Sequence, residues 1–202
     1  MTEQNELAAA SSNFRKHTSG NPIQRLLIER FHHTIAELAG TTDAQRVLDA
    51  GCGEGFGMRT ALEPQFPQIT GLDLSHESLS FAHQQSPATS FICGSMFQLP
   101  FANGAFDLVV CLEVLEHLDD PEAGLAELCR VSHHWLLLSV PHEPLFRGAN
   151  FLRGKNMHAW GNDEGHVNHW SARGFARFVS RRCTIVSRRQ SFPWTIVLCR
   201  KA

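Results

Sequence analysis

At 202 residues with a net charge of −2 and 43% hydrophobic content, the chain fits one domain with a sizeable core. No run approaches the ~18 uninterrupted apolar residues of a membrane span, and the polar first twenty residues hold no apolar signal-peptide core. Six cysteines are scattered without a C-x-x-C pair, so the expectation is a reduced, cytoplasmic protein with thiols packed as small apolar groups.

The charge is uneven. From Leu145 onward eleven basic residues face two acidic ones, giving +9 there and −11 in the remainder. Such an asymmetry suits either solvated faces complementing an acidic half or an anionic partner, and nucleic acid is the less favoured partner.

Residues 1–20 are expected to be loosely ordered, with Arg15, Lys16 and His17 either in solvent, the simpler reading, or reaching a site. Residues 21–202 are expected to form one domain. Asn21-Pro22 opens a helix in which Ile23, Leu26, Leu27, Phe31, Ile35 and Leu38 recur at helical spacing up to Gly40. A strand follows at 46–50, then a helix near 56–64, a strand at 68–73, a helix at 75–85 and a short strand at 90–93. Next come an apolar strand at 106–112, a helix from Asp120-Pro121 to about Arg130, and a strand at 135–140. Residues 141–170 lack periodicity and are expected to form a lid over the substrate. Ser171 caps a last helix, and two β-rich runs, 182–188 and 192–199, finish the chain. Strands alternating with helices predict an α/β Rossmann-like, doubly wound sheet, mostly parallel with a terminal antiparallel strand, covered on both faces.

The stretch with the most chemistry is R-V-L-D-A-G-C-G-E-G-F-G, residues 46–57. Apolar residues before a glycine cluster predict a buried strand ending in a tight turn, where main chain lies open to a ligand. Asp73 closes a second apolar run and is placed to accept hydrogen bonds from both hydroxyls of a ribose. The dinucleotide fingerprint G-x-G-x-x-G fails here. Begun at Gly51 it meets Phe56, and begun at Gly53 it meets Met58, where a small residue is required.

D-x-G-x-G-x-G resembles the first motif of the class I S-adenosylmethionine-dependent methyltransferases, and G-L-D-L-S (71–75) resembles their acidic second-strand motif. F-D-L-V-V-C-L-E-V-L-E-H-L (106–118) looks like the fourth-strand motif of their type 11 group. The resemblance implies that Asp49, Gly51, Gly53 and Gly55 cradle the methionine part of S-adenosylmethionine, with Asp73 and Leu74 at the ribose. Ser95 and Met96 are the candidates for the adenine edge, through backbone groups and thioether contact, and Glu113 for the mouth of the site. A non-catalytic cofactor-binding partner subunit and an NAD-dependent oxidoreductase are the competing readings.

Methyl transfer needs an aligned acceptor and, for a hydroxyl, a base to take its proton. His117, Glu116 and His142 are the candidates, all near strand ends. Glu113, Glu116 and His117 are spaced i, i+3, i+4, so a helical turn predicts them on one face. E-x-x-E-H followed by His166 or His169 resembles the metal site of small-RNA 2′-O-methyltransferases, and related sites occur in ubiquinone-pathway O-methyltransferases. That likeness implies Mg²⁺ or Mn²⁺ on Glu113, Glu116, His117 and His166, with oxygen as the acceptor atom. The same residues also occur in metal-free members as capping and supporting groups. Phe146, Phe151, Leu152, Met157 and Trp160 with Arg147, Arg153 and Lys155 suit a small acceptor that is anionic or lipid-linked.

Overall fold

In the computed structural model, which describes residues 12–142 and 167–202, the central strands are buried on both faces because their apolar residues run without interruption. β1 (Arg46–Ala50), β2 (Gln68–Asp73), β3 (Ser90–Cys93), β4 (Phe106–Leu112), β5 (Ser132–Pro141), β6 (Cys183–Ser191) and β7 (Trp194–Lys201) form one sheet in the order β3-β2-β1-β4-β5-β7-β6. β1 to β5 pair in parallel, and β7 lies antiparallel to both β5 and β6. The chain reverses direction of travel across the sheet between β1 and β4, and ligands in such sheets sit beyond the strand carboxyl ends at that switch.

Alternation along β4 divides the core. Leu108 and Val110 face a cluster with Ile35, Met58 and Leu62, whereas Val109 and Cys111 face Leu125, Leu128 and Phe175. The first face is covered by α2 (Pro22–Gly40), whose Ile28, Phe31, Ile35 and Leu38 are buried as their helical spacing predicts. The Asn21 side chain accepts from the amides of Ile23 and Gln24 at 2.9 and 3.3 Å, so the N-cap is used as expected. α3 (His76–Gln85), α4 (Pro121–Val131) and α5 (Ala172–Val179) are capped likewise by Ser75, Asp120 and Ser171.

Two expectations are corrected. The N-terminal segment contains a helix, α1 (Ser12–His17), from which only Arg15 of its three cations is exposed; Lys16 and His17 are half-buried. After the glycine turn the expected helix over 56–64 is shorter and mixed, α-helical at residues 56–57 and a π-turn over Met58–Leu62. The cause of the first is tertiary. Phe14 meets Phe56 and Phe81 edge-on at 5.9 and 5.4 Å, and the His17 ring lies flat on Phe56 at 4.6 Å and on His32 at 5.2 Å. The expected lid at 141–170 falls mostly outside the described residues.

Candidate active site at the carboxyl ends of the strands

β1 delivers its last residues into a turn held by two amides: Gly51 and Cys52 both donate to the Leu72 carbonyl, at 2.7 and 3.0 Å. Gly51, Gly53 and Gly55 have φ of +82°, +52° and +75°, the left-handed region that other residues resist. Their reasons differ. A Cβ on Gly51 would stand 2.3 Å from Val114 Cγ2, so this glycine lets the β4 loop close over the turn. A Cβ on Gly53 would meet nothing nearer than Asn13 Nδ2 at 3.3 Å, which leaves the open face of the turn beneath α1.

Asp73 sits beside that face. Its Oδ2 accepts from the Gly53 amide at 2.8 Å and its Oδ1 from the Ser75 amide at 2.9 Å. Each carboxylate oxygen keeps a second lone pair, so both remain able to accept from a ribose hydroxyl. Asp49 is buried, and burial reinforced by the neighbouring Asp73 charge pushes its carboxyl up to about 7. It acts as a support beneath the turn rather than as an exposed ligand. Leu74 is 75% exposed next to Asp73. The Ser95 hydroxyl accepts from the Phe97 amide at 3.2 Å. The Met96 thioether is buried in the core cluster with Leu72 and Leu99, and Phe97, 46% exposed, is the outward side chain of that loop.

Glu113 leaves β4 with φ +60°, a strained conformation for a non-glycine residue. Three groups hold it there. Trp194 Nε1 donates to Oε2, Ser139 Oγ lies 3.4 Å from Oε1, and Lys16 Nζ lies 3.5 Å from Oε2 while sitting over the Trp194 ring. Across the turn, Asn13 Nδ2 donates to the buried Glu54 at 2.5 Å. α1 is thus a strap whose polar side chains reach both sides of the glycine turn. Asn13, Trp194 and Glu54 escape sequence reasoning, and the sequence leaves Lys16 either facing solvent or reaching a site, because their partners are 41 to 97 positions away and no local pattern announces such pairs.

The strained Glu113 also dissolves the expected common face. The backbone is helical only over the single 3-10 turn Leu115–His117. Glu113 turns to Trp194 and Ser139, Glu116 is buried, and His117 is exposed. Among the described residues no three His, Cys, Asp or Glu side chains are grouped to hold a metal ion, and His166 lies outside the described residues. Among the described residues Glu113, Glu116 and His117 do not converge as the E-x-x-E-H spacing implied. The turn is fastened instead by the returning chain. The Glu116 carbonyl accepts from the amides of Val167 and Asn168, both at 2.9 Å, and Asn168 Nδ2 donates to the carbonyls of Leu115 and Leu118 at 3.3 and 2.6 Å.

His142 follows the end of β5, and its amide donates to the Pro193 carbonyl at 2.7 Å, beside Trp194. Its Nδ1 is buried without a hydrogen-bond partner among the described residues. His169 is exposed.

The parallel sheet, the switch between β1 and β4, and the glycine turn bonded to Asp73 place an α/β domain's candidate ligand site beyond the strand carboxyl ends. Residues 48–134 match the family described as methyltransferase domain, the family that the glycine turn and the G-L-D-L-S motif resemble. It is 35% identical over 108 residues to a ubiquinone biosynthesis O-methyltransferase of Chromobacterium violaceum, covering 51% of this chain and 43% of that protein. It is 30% identical over 109 residues to an O-methyltransferase of Aspergillus nomiae, covering 51% of this chain and 48% of that one. The chain therefore spans about half the length of the curated relatives it matches. In fold it is similar to the magnesium protoporphyrin IX methyltransferase of Synechocystis with bound S-adenosylhomocysteine, at a TM-score of 0.72 and 19% identity, covering 96% of each chain. No described helix is long and apolar enough to cross a membrane.

Proposed function

We propose that the protein transfers the methyl group of S-adenosylmethionine to an oxygen of a small-molecule acceptor. The observation that carries this reading is the open face of Gly53 beside Asp73, roofed by α1. When bound there, the cofactor supplies a methyl on a sulfonium, already activated for displacement. The Gly51–Gly55 turn would hold its methionine part, Asp73 its ribose hydroxyls, and the backbone of 95–97 with Leu74 and Phe97 its base. Glu113 and Glu54 offer carboxylates for a cationic amino group. The oxygen acceptor is supported by the names of the relatives, both O-methyltransferases.

His142 is the favoured base, at the carboxyl end of β5 with a buried Nδ1 that has no hydrogen-bond partner among the described residues; His117, exposed beside the buried Glu116, is its alternative. A histidine that takes the hydroxyl proton as the methyl arrives needs no metal, and no step is assigned to one. An acceptor with an anionic or lipid-like part is supported by the cations and apolar residues of 141–170 in the sequence.

The test is calorimetric titration with S-adenosylhomocysteine, then an acceptor screen that follows methyl incorporation. Micromolar binding that Asp73→Ala weakens at least about tenfold, the loss of one or two charge-assisted hydrogen bonds, is expected. Absence of binding, or binding of NAD in its place, overturns the reading.

A further inference from the structure

Two sulfurs outside the site lie closer than packing alone requires. Cys129, in the last turns of α4, and Cys183, the first residue of β6, have their Sγ atoms 3.2 Å apart. Both are buried, at 9% and 4% exposure, and both belong to the core cluster that includes Leu128, Val131 and Val179. The other free cysteines have no such sulfur contact. A disulfide bond is ~2.05 Å long, so the two sulfurs need only about 1 Å of closure.

The surroundings distinguish the two members. The contact with the Cys183 sulfur and the positive charge of Arg182 and Lys201 nearby together hold the Cys129 thiol below its ordinary range. Lys201 is fixed by donating Nζ to the Ser132 carbonyl at 2.8 Å, and Arg182 by donating Nε to Glu122 at 2.8 Å. Cys183 is pushed up by the contact with Cys129 and by burial, and burial pushes Cys199 up to about 12 and Cys111 well above its usual value.

We propose that Cys129 and Cys183 form a reversible oxidative modification site that closes to a disulfide when a hydroperoxide is the oxidant. The Cys129 thiolate attacks one peroxide oxygen; the O–O bond breaks, a sulfenic acid forms and hydroxide leaves. The Cys183 sulfur then attacks the Cys129 sulfur; the S–S bond forms, the S–O bond breaks and water leaves with the Cys183 proton. Two thiols and one hydrogen peroxide give one disulfide and two waters. The bond closes a loop from 129 to 183 that holds β5, Ser139, His142, Asn168 and α5, the acceptor-side half of the site. It lies at the opposite end of the sheet, so it acts on the stability of that half and touches no ligand. The inference is independent of the methyltransferase reading.

Purified full-length protein is treated with a small molar excess of hydrogen peroxide, alkylated under denaturing conditions and mapped by mass spectrometry with and without prior reduction. A peptide linked through Cys129 and Cys183, lost on reduction, is expected, with a rise in Tm of about 5 °C or more that dithiothreitol reverses. In Cys183→Ala, Cys129 is expected to accumulate as a sulfenic acid trapped by dimedone. Free Cys129 and Cys183 after peroxide treatment, or a bridge that uses Cys199 instead, overturns the proposal.

Discussion

Replacing Gly51 by alanine tests the glycine turn where two independent costs coincide. The left-handed φ of +82° costs a residue with a Cβ about 1–2 kcal/mol. The new methyl also stands 2.3 Å from Val114 Cγ2 and 3.3 Å from Cγ1, an overlap of the overpacking kind that costs about 1–3 kcal/mol. Gly51→Ala is therefore expected to lose about 2–5 kcal/mol of stability, or to lose ligand binding if the turn opens to relieve the overlap. Val114→Ala removes both offending methyls and leaves the conformational cost in place. The double variant is expected to recover about 1–3 kcal/mol relative to the sum of the single variants. Gly53→Ala supplies the contrast. It keeps the left-handed cost of φ +52° but meets only Asn13 Nδ2 at 3.3 Å, so the overpacking part of the loss is expected to be absent and its further effect to fall on α1 and the ligand. Urea unfolding of the wild type and the four variants, paired with S-adenosylhomocysteine titration, measures both quantities. Wild-type stability and affinity in Gly51→Ala, or additivity with Val114→Ala, refutes the account of why a glycine stands there.

Acid is expected to loosen the strap. Burial lowers His17 from 6.5 to about 3 and His32 to about 4, so unfolding at pH 4–6.5 takes up two protons at these rings. The stability they contribute is present above pH 6.5 and lost as pH falls. Asp49, raised from 3.8 to about 7, acts oppositely in this window: its contribution is present below 3.8 and lost as pH rises. Two protons against one leave a net loss of about 1.4 kcal/mol per pH unit of acidification. His17→Phe/His32→Phe is expected to reverse that slope, as read by urea unfolding at pH 4.5 and 6.5; an unchanged slope refutes it. Separately, Asn168→Ala removes the donors to the Leu115 and Leu118 carbonyls and is expected to cost about 1–3 kcal/mol, with faster amide exchange over 115–118. Wild-type exchange there shows that the turn does not depend on the returning chain.

What sequence alone determined is what short-range physics controls. Asn21, Ser75, Asp120 and Ser171 cap helices because a side-chain oxygen reaches amides two or three residues on, and such spacing is visible in any window. β1, β2, β3 and β4 have the bounds that their apolar runs predict, and the glycines at 51, 53 and 55 stand at left-handed positions. The cofactor class follows from these local features and their order.

Only the tertiary structure decided the site's other half. The Glu113, Glu116 and His117 spacing predicts a shared helical face, but long-range bonds from Trp194 and Ser139 draw Glu113 away, at a φ that a helix does not tolerate. Residues 12–17 lack the length to form a stable helix alone, and become one because Phe14 and His17 find Phe56, Phe81 and His32 across the fold. The Cys129 and Cys183 pair joins residues 54 positions apart. Caps and glycine turns obey distances along the chain, whereas clasps, ion pairs and sulfur contacts obey distances in space, which exist only once the sheet has folded.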